Sequence, residues 1–472
     1  MTEAKIKFGT SGWRGIISDD FTFFKVSKVA QAVARYVKEK EKEAVKNGVI
    51  VGYDTRFLSE KFAATAANVI SAAGIKVLLT KRDTPTPVIS YEIIKRKLAG
   101  GINITASHNP SSYNGLKFSP SWGGPALPET TKIIENYAND PELKILPEDD
   151  KNVILLDPRE AYLKVIRNKV DFKLIKKAGM KVGVDLLYGT GRGYLDLLLA
   201  ESCKKVTVFH NYRDAYFGGG APEPKSERLG GLIAAIKKEK LDIGLAVDGD
   251  ADRYGIIDRD GTFITPNEIL ALLMVYLKKS RGWNGCAVRT VATTHLVDAL
   301  AEKYGIPVRE TPVGFKYIGE IMMKEPMIIG GEESGGLTTY QHIPEKDGIL
   351  ACLLVLEMVA AEKKTLKEIL KKIYREVGYI ATGRGSARLT GEKKQKLVRA
   401  LSKKPPVKFG SYTVEKLITL DGHKFLLGGK NWIMIRLSGT EPLVRLYAEA
   451  DSDKRLNELL NLGEKYILAF NH

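Results

Sequence analysis

Short apolar runs, each closed by a glycine turn and followed by helical periodicity, recur along most of this chain. Val49–Tyr53 is an apolar run of strand length, Glu60–Ala73 places its apolar residues at helical spacing and stops at Gly74, and Ile75–Leu79 and Gly101–Ile104 are further strands. A second unit opens with a strand at Lys181–Asp185. It passes through the turn Tyr188-Gly189-Thr190-Gly191-Arg192-Gly193, a helix over Tyr194–Ser202 and a strand at Lys205–Phe209. A helix over Leu229–Lys240 and a strand at Asp242–Val247 complete it. A third unit has a strand at Ala287–Val291, a helix over Leu296–Tyr304 and a strand at Met327–Ile329. Strands alternating with helices in this way predict α/β domains with mixed or parallel sheets covered by helices.

The pattern changes after the helix predicted over Leu366–Glu376. A Gly/Arg-rich segment leads into short strands such as Trp432–Leu437 and Leu443–Glu449, and then a terminal helix around Lys454–Phe470. This predicts a separate α+β domain on a hinge near Gly378–Gly385. Turn-rich segments at Pro147–Asp150 and Asp258–Gly261 mark further boundaries. The expected organisation is three similar α/β domains over 1–148, 149–258 and 259–375, and an α+β domain over 376–472, around a central cleft. A length of 472 residues suits such a count at about 100–150 residues per domain.

Composition narrows the class. The longest apolar stretch, Ile349–Ala361, contains Glu357 and falls short of the ~20 residues a membrane span needs, so it predicts a buried helix. The N-terminal residues lack the apolar core of a secretory signal. Cys203, Cys286 and Cys352 are far apart and unpaired in pattern, which argues against disulfides or a zinc site and for a reducing compartment. A cytoplasmic protein with no membrane partner is expected. The formal net charge of +17 suits a basic cleft for an anionic substrate, a solvated lysine-rich surface such as the run Lys38–Glu43, or nucleic acid. The basic stretches hold few aromatics and match no nucleic-acid motif, so no nucleic-acid partner is expected.

Four loops carry candidate chemistry, and ligands of open α/β sheets bind beyond the carboxyl ends of strands. In Thr105-Ala106-Ser107-His108-Asn109-Pro110 a hydroxyl sits beside an imidazole. Ser107 can carry a phosphoryl group and His108 can move a proton, although the same residues also suit a capping turn before a helix. In Asp248-Gly249-Asp250-Ala251-Asp252-Arg253, alternating carboxylates repel one another unless a cation intervenes, and oxygen ligands select a hard ion such as Mg²⁺. An EF-hand is excluded by Arg253 and Arg259 at the positions that need Gly and Glu; an aspartyl nucleophile and a plain acidic turn stay open. In Gly330-Gly331-Glu332-Glu333-Ser334-Gly335-Gly336, Glu332 and Ser334 face one side of an extended loop and suit sugar hydroxyls, or simply a flexible turn. In Arg436-Leu437-Ser438-Gly439-Thr440-Glu441-Pro442, with Arg445 following, an arginine fork and backbone donors suit a phosphate, or a strand-to-helix cap.

In this order, together with the opening Phe8-Gly9-Thr10-Ser11-Gly12-Trp13-Arg14-Gly15, these motifs resemble those of the α-D-phosphohexomutase superfamily. The resemblance spans the chain. It implies four domains, each giving one loop to a deep cleft. It implies Ser107 as the phosphoserine, with Asp248, Asp250 and Asp252 holding Mg²⁺ together with an oxygen on Ser107. Glu332 and Ser334 would hold sugar hydroxyls, and Arg436, Ser438, Gly439 and Thr440, with Arg445, the non-transferred phosphate. Arg14, His108, Lys117 and Arg253 match positions lining the reaction centre. The segment Thr311–Lys316, with Gly314 and Lys316, resembles a sugar-recognition loop, and His342–Gly348 resembles the stretch that places an acid/base lysine, here Lys346. Gly335 replaces the phenylalanine usual in animal phosphoglucomutases, and Glu333 the glutamine usual in phosphoglucosamine mutases. Glucose phosphate is therefore implied first, mannose phosphate second. Glucose 1,6-bisphosphate is implied as activator, small hexose phosphates as partners, and a monomer or homodimer as the assembly. A phosphoglucosamine mutase of the same superfamily is the alternative, and a metal-dependent phosphatase is the rival enzyme class.

Overall fold

The structure, a computed structural model, describes residues 5–389, 391–437 and 443–471. Three mixed sheets and one large antiparallel sheet organise the described residues, with a two-stranded antiparallel pair beside them. The first three share one arrangement. In the first sheet Gly100–Ile104 and Val77–Thr80 flank Val49–Tyr53 in parallel, and Tyr113–Pro120 folds back antiparallel onto Gly100–Ile104. In the second, Ile243–Val247 and Lys205–Phe209 flank Lys181–Asp185, and Tyr254–Asp258 folds back onto Ile243–Val247. In the third, Met327–Gly331 and Val308–Thr311 flank Cys286–Thr290, and Leu337–Thr339 folds back onto Met327–Gly331. Each sheet thus ends one fully buried parallel strand in a hairpin loop, and those loops are 105–112, 248–253 and 332–336.

Apolar β-branched runs at these strands form the buried centres of the sheets, as both-face burial requires. The observed strands lie within two residues of the sequence-based bounds. The antiparallel return strands had no counterpart among them, nor did Val153–Leu156, which joins the first sheet beside Val77–Thr80 and lies beyond residue 148. The second and third sheets share one hydrophobic core. Val184 and Leu245 from one side and Ala287 and Ile329 from the other belong to one cluster with the helix Gly348–Glu362. This is the helix expected from its apolar run, capped by the Asp347 carboxylate, which accepts the Leu350 N–H at 2.9 Å. The charged run Lys38–Glu43 only partly rides a helix, since Phe23–Lys40 ends within it.

The fourth sheet is wholly antiparallel and has its own core around Ile433, Val444 and Leu459. Much of the expected hinge is strand, because Ala381–Arg388 pairs along Leu443–Ala450. A buried polar network joins this domain to the third sheet's loops. Lys424, fully buried, donates to Val291 O and His295 Nε2, both at 2.8 Å, and Glu449 accepts from Thr294 Oγ1 at 2.5 Å and Trp432 Nε1 at 2.9 Å. Burial and the nearby Arg289 lower the Lys424 ammonium to about 8. Among the described residues, no helix is long and apolar enough to cross a membrane.

Glu357, fully buried in the central helix, accepts from Tyr276 Oη at 2.6 Å, from Arg281 Nη2 at 2.6 and 2.7 Å and from Asp171 N at 2.6 Å, so it ties the second domain to the third. Glu357→Ala strands these donors. It is expected to cost about 3 kcal/mol of unfolding free energy by denaturant titration, at the low end for a broken buried pair because Arg281 remains partly solvated.

Candidate active site

The loop after Gly100–Ile104 turns back into a strand, so the capping-turn alternative for Ser107 is set aside. Ser107 has φ +52°, a left-handed conformation that L residues seldom adopt and that marks a position held by its surroundings. Its N–H is accepted by Thr105 Oγ1 at 2.9 Å. The holding group is Arg56, fully buried, whose guanidinium donates to Ser107 O at 2.6 Å, Asn109 O and Pro110 O at 2.7 Å and Tyr113 O at 3.0 Å, while Nε pairs with Asp54 at 3.1 Å. Three carbonyls of one loop and the first of its return strand are therefore fixed by a single planar fork. The Ser107 hydroxyl points inward, 3.1 Å from Asp248 Oδ2 and 3.4 Å from His108 Nδ1.

Asp248, Asp250 and Asp252 are all fully buried, and each offers a carboxylate oxygen within 4.8 Å of the others. Other domains supply the countercharge. Lys117, on the strand Tyr113–Pro120, reaches Asp250 Oδ2 at 2.6 Å and Asp252 Oδ2 at 2.9 Å. Lys346 reaches Asp252 Oδ2 at 3.1 Å, and Thr86 Oγ1 donates to Asp250 Oδ2 at 2.6 Å. Burial together with the Asp250 and Asp252 charges drives the Asp248 carboxyl well above its ordinary range. Burial would raise Asp252 too, but Lys117, Lys346 and Arg253 outweigh it and hold that carboxyl well below. Asp250 Oδ1 and Asp252 Oδ1 are buried and accept no hydrogen bond among the described residues. An all-oxygen set with two orphaned carboxylate atoms beside a serine hydroxyl fits a hard divalent cation such as Mg²⁺.

Further side chains line this hollow. Arg14 donates to Asn109 Oδ1 at 2.5 Å, and burial plus the neighbouring Arg253 lower its guanidinium to about 10. Burial, Arg253 and Arg14 push the His108 imidazole well below its ordinary value, which leaves it neutral. Burial would lower Lys346, but Asp252, Glu345 and Glu332 hold it strongly charged. Its stem crosses Gly336, where a Cβ would lie 2.2 Å from Lys346 Cδ, so only glycine lets it through. Glu332, buried, accepts from Gly314 N at 3.1 Å and Ser334 Oγ at 3.4 Å.

At the far end Arg436 Nε pairs with Asp421 Oδ2 at 2.9 Å, and Lys316 lies close enough for both charges to act on it. Arg436 stands directly across the sheet from Arg445, an arrangement of like charges that an anion relieves. Arg445 is exposed, and its charge reaches His108. The chain re-enters a strand at Leu443, so the helix-cap alternative for this loop is set aside as well. Ser438, Gly439 and Thr440 lie outside the described residues. Ser107, Asp248, Asp250, Asp252, Lys117, Arg14, His108, Arg253 and Lys346 form one cluster; Arg436 and Lys316 form a second, with Glu332, Ser334 and Gly314 between them. Sequence reasoning missed Asp54, Arg56, Thr86 and Asp421. The signal for the first two was present: Asp54-Thr55-Arg56 closes the buried strand Val49–Tyr53, the same strand-end position that singled out the other loops.

Four family models match the chain: phosphoglucomutase/phosphomannomutase alpha/beta/alpha domain I over residues 5–144, domain II over 160–261, domain III over 265–377, and the C-terminal domain over 387–461. A phosphoglucomutase/phosphomannomutase of Thermococcus kodakarensis is 30% identical over 470 residues, covering 98% of both chains. A phosphoglucosamine mutase of Carboxydothermus hydrogenoformans is 31% identical over 466 residues, covering 96% of this chain and 97% of its own. The crystal structure of a phosphomannomutase candidate from Thermus thermophilus superposes with a TM-score of 0.84 at 35% identity, covering 99% of this chain and 100% of its own.

The carboxylate trio predicts Mg²⁺ binding that is read without any substrate. At Mg²⁺ about 100 times its Kd the folded protein gains about 2.7 kcal/mol, seen as a rise in the thermal unfolding midpoint. Asp250→Asn is expected to lose most of that rise.

Proposed function

The chain belongs to the phosphoglucomutase/phosphomannomutase family, and on that footing we propose that it is a phosphohexomutase, an intramolecular phosphotransferase that interconverts hexose 1-phosphate and hexose 6-phosphate through phospho-Ser107 and a hexose 1,6-bisphosphate. One observation carries this: Ser107 Oγ lies 3.1 Å from Asp248 Oδ2 at the edge of a buried acidic trio, although 141 residues separate them. A strained loop pinned by Arg56 presents the hydroxyl, and Lys117, Arg14 and Arg253 surround it with positive charge suited to a phosphoryl group.

In the proposed cycle the substrate's non-transferred phosphate sits on Arg436 with Ser438, Gly439, Thr440 and Arg445, and its ring hydroxyls on Glu332 and Ser334, beside Gly314 and Lys316. The free sugar hydroxyl attacks phosphorus, the P–Oγ bond to Ser107 breaks, and a bisphosphate forms. His108 or Lys346 exchanges the hydroxyl proton. The bisphosphate then turns over in the cleft and returns its other phosphoryl group to Ser107. Asp248, Asp250, Asp252 and a phosphoserine oxygen would hold Mg²⁺, which when bound neutralises charge on the transferring group. Free glucose 1,6-bisphosphate would act as activator by rephosphorylating Ser107. The domain over 376–472, moving against those over 1–148, 149–258 and 259–375, would shut the cleft against water.

Glucose phosphate is the favoured substrate and mannose phosphate the next. A relative named as a phosphoglucosamine mutase favours glucosamine phosphate as a second reading. A cytoplasmic monomer or homodimer acting on small hexose phosphates completes the proposal, with a metal-dependent phosphatase as the contrasting activity.

Ser107→Ala is expected to fold and to lose nearly all mutase turnover in a coupled assay, and to take up no label from glucose 1,6-bisphosphate phosphorylated with ³²P. Full turnover in that variant removes the phosphoserine. Parallel assays with glucose, mannose and glucosamine 1-phosphates are expected to give the highest kcat/KM for glucose 1-phosphate. Phosphate release without isomerisation would favour the phosphatase.

A further inference from the structure

The segment Thr311–Lys316 is held at two consecutive amides by acids from two different domains. Gly314 N–H goes to Glu332 Oε1 at 3.1 Å, within the third domain. Val313 N–H goes to Asp421 Oδ2 at 3.0 Å, across the boundary to the fourth. The same Asp421 oxygen accepts Arg436 Nε at 2.9 Å. We propose that Asp421 is a positioning residue that sets the phosphate-gripping fork of Arg436 in register with the sugar-recognition segment 311–316.

The chemistry follows from which guanidinium nitrogen is used. With Nε committed to Asp421, the guanidinium plane is fixed and both terminal NH₂ groups are left to form a bidentate grip on a phosphate. The partial neutralisation also eases the placement of Arg436 opposite Arg445. The backbone is built for this contact. Asp421 sits in the turn between the strands Lys416–Ile418 and His423–Leu426, and Gly422 after it has φ +84°. A Cβ there would stand 2.7 Å from Ile435 O and 3.1 Å from Arg436 Cα, so only glycine lets this turn press onto the strand that carries Arg436. Lys316 and Tyr317 both lie within the electrostatic reach of Asp421 and Arg436, which places the start of the helix Phe315–Lys324 at the same junction. One carboxylate oxygen thereby links the group that grips the phosphate end of the substrate to the backbone that meets its ring.

The inference rests on Arg436 holding the substrate's phosphate, and the test separates the two. Steady-state kinetics on the Mg²⁺-loaded, phosphorylated enzyme with glucose 1-phosphate would compare wild type, Arg436→Ala, Asp421→Ala, the near-isosteric Asp421→Asn, and the double variant Asp421→Ala/Arg436→Ala. Loss of one charge-assisted bond is expected to raise KM about tenfold in Asp421→Ala, with kcat changed less than about twofold. Asp421→Asn is expected to fall between, since its amide oxygen still accepts Val313 N–H, and it carries the test if Asp421→Ala fails to fold. Adding Asp421→Ala to Arg436→Ala should raise KM by less than about twofold, because the two act through one grip. A tenfold rise in Arg436→Ala alongside wild-type kinetics in both Asp421 variants overturns the role of Asp421 and leaves the phosphate grip standing. Multiplicative effects in the double variant also overturn it. Wild-type KM in Arg436→Ala sinks both.

Discussion

Three carboxylates with no solvent exposure, side by side in one six-residue hairpin loop, are the constraint around which this molecule is built. Buried charge is costly unless paired, and like charges at this distance add to the cost. The chain meets it with cations: Lys117 drawn from the first domain, Lys346 drawn from the third, and Arg253 in the loop itself. The Lys117 and Lys346 pairs are therefore also welds between domains. The loop backbone adds others, with Thr86 N bonded to Asp250 O at 3.0 Å and Gly348 N to Ala251 O at 3.1 Å. The acidic trio, the Ser107 hydroxyl and the Lys346 loop cannot be placed independently, and the site that results is strongly polar, buried and positively framed, as suits phosphoryl transfer.

The repeated sheet topology explains why such distant residues meet. In each of the first three sheets the functional loop is the hairpin that follows the same buried parallel strand. Three similar domains set around a centre bring three equivalent loop positions together. The fourth domain contributes from a different architecture, and its attachment is correspondingly different: a part-buried Lys424–His295 contact, a Glu449 that accepts three kinds of donor, and the Asp421 contact with the Val313 amide. Two clusters joined through the loop that carries Glu332 and Ser334 suit a substrate with a reacting end and a gripped end.

Much of this was legible in the chain. Fully buried parallel strands such as Val49–Tyr53 and Lys181–Asp185 are continuous apolar runs, so their positions could be read directly. The return strand Tyr113–Pro120 was not, because Tyr-Asn-Gly-Leu-Lys-Phe-Ser-Pro mixes polar and apolar residues and carries Lys117 toward the site. The serine and aspartate loops stood out because hydroxyl, imidazole and carboxylates were concentrated at strand ends. Arg56 stands at a strand end too, but its role shows only in carbonyls about fifty residues on, and that of Asp421 in an amide 108 residues back. Local pattern reveals reactive groups more readily than it reveals the groups that hold them in place.

The central claim is spatial, and anomalous diffraction from crystals soaked in Mn²⁺, a substitute for Mg²⁺ that scatters anomalously, tests it most directly. The account predicts one strong peak in ligand contact with Asp248, Asp250, Asp252 and the oxygen borne by Ser107. A peak bound elsewhere, or one at the aspartates with Ser107 turned out of contact, would contradict it.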